Sequence, residues 1–352
     1  MYKIAKDKLP ELYAALQNIG TLLLPCADKA GRVDFAQYHE GVQPALEAPL
    51  TSRSAKDVFF PQVENLLTFK TSGKELALEQ NIPPAGTTIV MGVRACDARS
   101  FKILDKVFLK APVDTYYQAR RESCVLIGLG CSAPEENCFC HAFGIKAGAP
   151  ETDVQTWFVG DALYWQAATA KGEELTAKLA ASGLLAEAGA EGAQKVQEQQ
   201  EQTQKILSAL PLHSFKVNDE LTKDELKVFQ SKAWEQLSAG CLSCCTCTYV
   251  CPTCHCYDIR DYQETEERTQ RYRCWDSCMA KDFTLMAHGS PRKTKLERFR
   301  QRYMHKLVYF PENNEGEYAC VGCGRCLQKC PVQLNIVKVA KALEKAEVKQ
   351  DV

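Results

Sequence analysis

The sequence lacks an excess of charge of either sign: 43 Lys and Arg stand against 44 Asp and Glu, a formal net charge of −1. No global field is therefore available to hold nucleic acid or anionic lipid, and any basic footprint has to be local. Long apolar runs are missing too. "TTIVMGV" and "CVLIGLG" fall far short of the roughly 20 residues that cross a bilayer. The opening "MYKIAKDKLPELYAALQNIG" has neither the apolar core nor the small-residue cleavage site of a secretory signal, and reads as an amphipathic helix. These absences predict a cytoplasmic chain with no membrane span and no nucleic-acid partner.

What is abundant is cysteine, 19 in 352 residues. Disulfides do not persist in a reducing compartment, so this many thiols point to metal or redox use. Two copies of one pattern stand out: Cys241-x2-Cys244-x2-Cys247-x3-Cys251-Pro252 and Cys320-x2-Cys323-x2-Cys326-x3-Cys330-Pro331. Each is the bacterial ferredoxin run, in which three thiolates wrap one [4Fe–4S] cubane and the fourth ligates the other cluster. The expected ligand sets are Cys241, Cys244, Cys247 and Cys330 for the first cluster, and Cys320, Cys323, Cys326 and Cys251 for the second. The competing reading is a pair of structural zinc sites. Zinc closes on two C-x2-C pairs, which leaves the third and fourth cysteines of each run unexplained.

In the second copy Gly322 and Gly324 let the backbone crowd a cluster and offer N–H donors to its sulfides. Ser243 and Cys245–Thr246 occupy those places in the first copy, so the two clusters are expected to differ in potential. Five cysteines nearby remain: Cys245, Cys254, Cys256, Cys274 and Cys278. They are either a further cluster or plain buried thiols.

In the N-terminal half one strand-like run leads to Cys96 and another to Cys131, with Cys138 and Cys140 close behind. Neighbouring strand ends of an α/β sheet would bring the four together, enough for a third cubane. The alternative is buried structural cysteine, the reading given to Cys26 and Cys124. "GLGCSA" also fits a dinucleotide fingerprint, but Pro134 and the cysteines interrupt the helix that should follow.

The expected organisation is an α/β domain over 1–165, an Ala/Gln/Glu-rich helical connector over 166–230, and a mainly helical, α+β ferredoxin-like dicluster domain over 231–340. Residues 341–352 form a tail. The stretch between the two cysteine runs is charged and helix-compatible. Within it "PRKTKLERFRQRYMHK" carries seven Lys and Arg against one Glu and reads as a docking face for an acidic partner. Its use in a zinc-stabilised nucleic-acid binder would call for more aromatics.

The pieces "ACDARS…ILDKVFL", "YYQARR", "GLGC…ENCFC", "CPTCHCYD", "RCWDSC", "RFRQRYMHK" and "CVGCGRCLQKCP" resemble the iron–sulfur beta subunit of cytosolic sulfhydrogenases and, equally, the dicluster electron-transfer subunit of anaerobic sulfite reductase. The resemblance spans roughly residues 58–331. It implies an electron-transfer subunit that wires a flavin-containing NAD(P)H-oxidoreductase subunit to a catalytic metalloenzyme subunit, nickel–iron or sirohaem. It also implies the third cluster, because Cys96, Cys131, Cys138 and Cys140 all lie on the family's pattern. Two features depart from it: Cys245 stands where these families more usually carry glycine, and the Ala/Gln-rich stretch near 170–205 carries no motif recognisable from them. On this reading the chain has no catalytic residue of its own. The alternative is a stand-alone iron–sulfur reductase of a small sulfur compound or disulfide. The Cys244–Cys245 pair resembles the doubled cysteine of heterodisulfide-reductase modules, but the long partner spacings are missing.

Overall fold

The computed structural model describes residues 1–83 and 86–348. Its N-terminal half is an α/β unit built on a nine-stranded sheet. Strands Thr21–Ala27, Thr88–Val93, Cys124–Leu129 and Val154–Val159 lie side by side and parallel. Ala162–Ala167 turns back antiparallel on the last of them, and Tyr2–Ala5 and Ala186–Glu187 extend that side. Val33–Gln37 closes the other side, and Gln43–Pro44 also pairs with Thr21–Ala27.

The parallel strands are continuous apolar runs because both their faces are covered. Alternate side chains point to opposite faces. Ile89 and Met91 therefore join Leu12, Leu16 and Ile127 in one core, while Val90 joins Phe101, Leu104 and Leu126 in the other.

The helices Ala170–Ala181 and Gly189–Ala209 occupy the stretch expected to be a connector, and they lie on this sheet. Leu175 and Leu179 enter the first core, the Trp165 indole N–H donates to Thr176 Oγ1 at 2.8 Å, and Thr203 Oγ1 donates to the Cys131 carbonyl at 2.6 Å.

The stretch between the cysteine runs departs from its helix-compatible reading. Residues Tyr257–Thr265 and Arg268–Trp275 form a β-hairpin, which pairs through its second strand with Val63–Ser72 and thence Glu75–Gln80. A buried ion pair pins this four-stranded sheet: Arg273 Nε donates to Glu64 Oε2 at 2.6 Å, across 209 positions of sequence. The hairpin's charges pair across strands, as in the two hydrogen bonds of Arg271 to Asp261. Helical structure begins at Lys295–Met304, where Thr294 and Glu297 make a capping box. It runs on through a π-helical turn, His305–Tyr309, into Phe310–Asn313.

The C-terminal core gathers Trp234, Phe299, Tyr303, Leu307, Ile336 and Val339. The expected tail is, as far as Val348, the end of helix Ile336–Val348; residues 349–352 lie outside the described ones. Among the described residues no helix is long and apolar enough to cross a membrane.

Candidate iron–sulfur centres

The two cysteine runs adopt the same loop. Ser243 and Cys245 have φ of 54° and 62°, and the matching Gly322 and Gly324 have 59° and 77°. Each loop leads directly into a short helix, Thr246–Tyr249 or Arg325–Lys329. Left-handed backbone at both alternate positions curls each run into a cup. Serine and cysteine adopt it in the first copy at a cost that glycine avoids in the second.

Cys330 lines one cavity with Cys241, Cys244 and Cys247. Cys251 lies within electrostatic reach of Cys320, Cys323 and Cys326. Backbone amides face the sulfurs: Ser243 N–H donates to Cys241 Sγ at 3.4 Å, and Leu334 N–H to Cys330 Sγ at 3.2 Å. Among the described cysteines Cys244 is the one at the surface, where the Thr246 hydroxyl and amide hold its pKa down.

The four N-terminal cysteines also converge. Cys96 sits in the first turn of helix Ala95–Phe108 and Cys131 just past strand Cys124–Leu129. Cys138 and Cys140 return to them on the following loop, and all four pack in one cluster with Cys323 of the second run. Burial, then Asp97 and Cys323, raises Cys96 well above the usual thiol range, and burial pushes Cys138 up to about 12.

Gly322 and Gly324 face this loop closely. A Cβ on Gly322 would stand 2.4 Å from the Phe139 carbonyl oxygen, and one on Gly324 2.5 Å from that of Asn137. Phe139 N–H donates to the Gly322 carbonyl at 2.9 Å. The glycines thus let two cysteine loops meet backbone to backbone, a requirement invisible in either run alone. Beside them Arg325, 1% exposed, grips Asp97 at 2.6 and 2.8 Å and Thr51 at 2.9 and 3.0 Å. Lys56, also buried, donates to the carbonyls of Cys251 at 3.2 Å and Cys254 at 2.9 Å.

The donor set fits an iron–sulfur core. Burial pushes Cys320 to about 12, and four bare thiolates would not persist in such surroundings. A bound core sharing their charge would keep them deprotonated. Among the described residues no three His, Cys, Asp or Glu side chains are gathered tightly enough for a single metal ion. Zinc draws its sulfurs to about 2.3 Å from one point, whereas a cubane spreads them over its corners.

Three of the seven cations of the basic stretch are withdrawn from the expected docking face. Arg298, Arg302 and Lys306 are buried and point inward; Arg302 donates to the Cys247 carbonyl at 3.2 Å, and Lys306 to Thr253 Oγ1 and the Ala319 carbonyl at 2.8 Å each. The period of four in these three positions was the available signal, since it puts them on one helix face.

The remaining cysteines divide. Cys254 is hydrogen-bonded to Cys251, and Cys256 to Cys278, which holds Cys256 down at about 7. Cys274 lies among Arg260, Asp258 and Asp276, and Cys245 Sγ turns to the Ser243 carbonyl at 3.4 Å. Cys26 and Cys124 sit in separate apolar cores.

Residues 240–334 match the family model of the 4Fe-4S dicluster domain, which makes this an iron–sulfur protein of the two-[4Fe–4S] class. Over 339 residues, 96% of this chain and 96% of the relative, the sequence is 30% identical to sulfhydrogenase 2 subunit beta of Pyrococcus furiosus. The chain belongs to that family, the sulfhydrogenase beta subunits. No solved structure matches it.

Proposed function

We propose that the chain is an electron-relay subunit of a hydrogenase-type complex, with a flavin-containing NAD(P)H-oxidoreductase subunit on one side and a catalytic metalloenzyme subunit on the other. Cys241, Cys244, Cys247 and Cys330 hold one [4Fe–4S] cluster, and Cys320, Cys323, Cys326 and Cys251 hold the second. Cys96, Cys131, Cys138 and Cys140 hold a third. Bound cubanes accept and release one electron at a time; the protein supplies their spacing, dielectric and hydrogen bonds.

The observation that carries this reading is contiguity. Cys244 is exposed at one end, Cys251 joins the first run to the second set, and Cys323 packs against the N-terminal set. Three neighbouring thiol groups, one of them reaching the surface, describe a path through the protein rather than a pocket for a substrate. Arg325 with Asp97, and Lys56 with the Cys251 and Cys254 carbonyls, keep the sets in fixed register across the two halves of the chain.

The test is reduction of the anaerobically purified chain, followed by its visible absorption. A strong chemical reductant should bleach it, while NADH and NADPH should leave it oxidised until a flavin subunit is added. Rapid NAD(P)H-dependent bleaching by the isolated chain would overturn the relay assignment.

A further inference from the structure

Arg298, Arg302 and Lys306 recur every four residues along one helix face and are 8%, 2% and 3% exposed. Their donors meet different fates. Arg298 gives its donors to the carbonyls of Met279 at 3.2 Å, Arg292 at 3.3 Å and Lys293 at 3.0 Å. Lys306 is engaged by Thr253 and Ala319. Arg302 donates through Nη2 to the Cys247 carbonyl, but its Nε and Nη1 are buried and meet no acceptor.

Position says what those two donors are for. Arg302 lines the cavity shared by Cys241, Cys244, Cys247 and Cys330. It is also within electrostatic reach of Cys326, in the second set. A guanidinium does not deprotonate in a protein, so it cannot escape burial by losing its charge. Buried donors without acceptors are costly, and a buried charge needs an anion beside it. Four thiolates around an iron–sulfur core supply that negative charge and sulfur acceptors.

We propose that Arg302 is a potential-setting residue shared by the two C-terminal clusters, its Nε–H and Nη1–H donating to cluster sulfur and its charge raising both midpoint potentials. The inference rests on the reading that these two cysteine sets hold cubanes. Reduction adds negative charge, and a fixed positive charge in a low-dielectric interior favours the reduced form, as do N–H···S bonds. Arg325 is the instructive contrast. It stands between the second set and the N-terminal one, but Asp97 neutralises it with two hydrogen bonds of 2.6 and 2.8 Å. The cysteines whose charges act on Arg302, Cys247, Cys326 and Cys254, all belong to the C-terminal half.

The experiment is an EPR-monitored redox titration of the full-length, anaerobically prepared protein, with iron counted first. Arg302→Gln should keep its iron while both C-terminal centres shift to more negative potential and the N-terminal centre stays in place. Arg302→Lys should restore most of the shift, and Arg298→Gln should titrate as wild type. Midpoints unchanged in Arg302→Gln, or all three centres moving alike, would overturn the proposal. Wild-type protein lacking two C-terminal cubanes would instead sink the cluster reading beneath it. Should Arg302→Gln fail to load, wild-type protein grown on guanidino-nitrogen-15 arginine decides. Pulsed EPR should then detect a nitrogen coupling at the reduced centre of Cys241, Cys244 and Cys247, absent from Arg302→Lys; no coupling would refute the hydrogen bonds.

Discussion

Replacing Gly322 with alanine probes the contact that joins the two halves. The residue has φ +59°, and its new Cβ would meet the Phe139 carbonyl oxygen at 2.4 Å, the Phe139 carbonyl carbon at 2.5 Å and Cys140 Cα at 2.7 Å. All three are backbone atoms, so no side chain can swing aside and the loops have to part. The left-handed backbone costs an alanine about 1–2 kcal/mol. Forced repacking adds about 1–3 kcal/mol, and the loss of the Phe139 N–H to Gly322 bond about 1 kcal/mol. The sum is about 3–6 kcal/mol, a fall in Tm on the order of 10 °C for a chain this long. Two controls separate the contributions. Gly144 has φ +68° and open space around it, so alanine there carries the strain alone, about 1–2 kcal/mol. Gly240 has neither constraint, and alanine should be neutral within about 0.5 kcal/mol. The assay is anaerobic thermal unfolding by circular dichroism. If Gly322→Ala melts together with Gly144→Ala, the loop-to-loop contact does not bear on stability and the reasoning is refuted.

Cys245→Gly should raise stability by up to about 1 kcal/mol, because it relieves a φ of 62° on a non-glycine residue, and it should leave the iron content unchanged; lost iron would make Cys245 a ligand. Cys330→Ser should disturb the EPR signal of the centre built on Cys241, Cys244 and Cys247, and Cys251→Ser the other C-terminal centre. Perturbation of each mutant's own run would mean that the last cysteines are not exchanged. Burial holds His255 down at about 4 and His305 at about 3, below the roughly 6.5 of an unfolded imidazole. The unfolded chain therefore takes up protons first as pH falls, so stability is complete above pH 6.5 and drains away between there and about pH 3. Urea midpoints across that window should slope less in His255→Gln, and equal slopes would mean that His255 does not contribute.

Much of the candidate site is readable in sequence because cluster chemistry imposes its own spacing. Three cysteines two residues apart, a fourth after three more and a proline survive as a pattern whatever surrounds them. Cys96 and Cys131 are readable more indirectly, as residues that follow buried strands. The strands themselves, such as Thr88–Val93, announce themselves by unbroken apolar runs.

The hairpin over 257–275 does not, since its residues are mostly polar on both faces and its partner strand, Val63–Ser72, lies far away in sequence. Composition identifies Gly189–Ala209 as a helix without indicating where it rests. That is decided by Val196, Thr203 and Leu207, a buried minority among exposed Gln and Glu. The basic stretch misleads for a related reason: a tally of charge is blind to direction. Seven cations suggest a surface until their fourfold period turns three of them inward.

The proposed relay depends on three cysteine sets each holding a cubane. Iron and sulfide analysis with Mössbauer spectroscopy of anaerobically purified protein puts that to the test. The expected result is about 12 irons per chain, all in [4Fe–4S] form with negligible zinc, and about 8 in Cys96→Ser with the C-terminal pair intact. About 8 irons in the wild type would remove the third site, and stoichiometric zinc in place of iron would contradict the relay altogether.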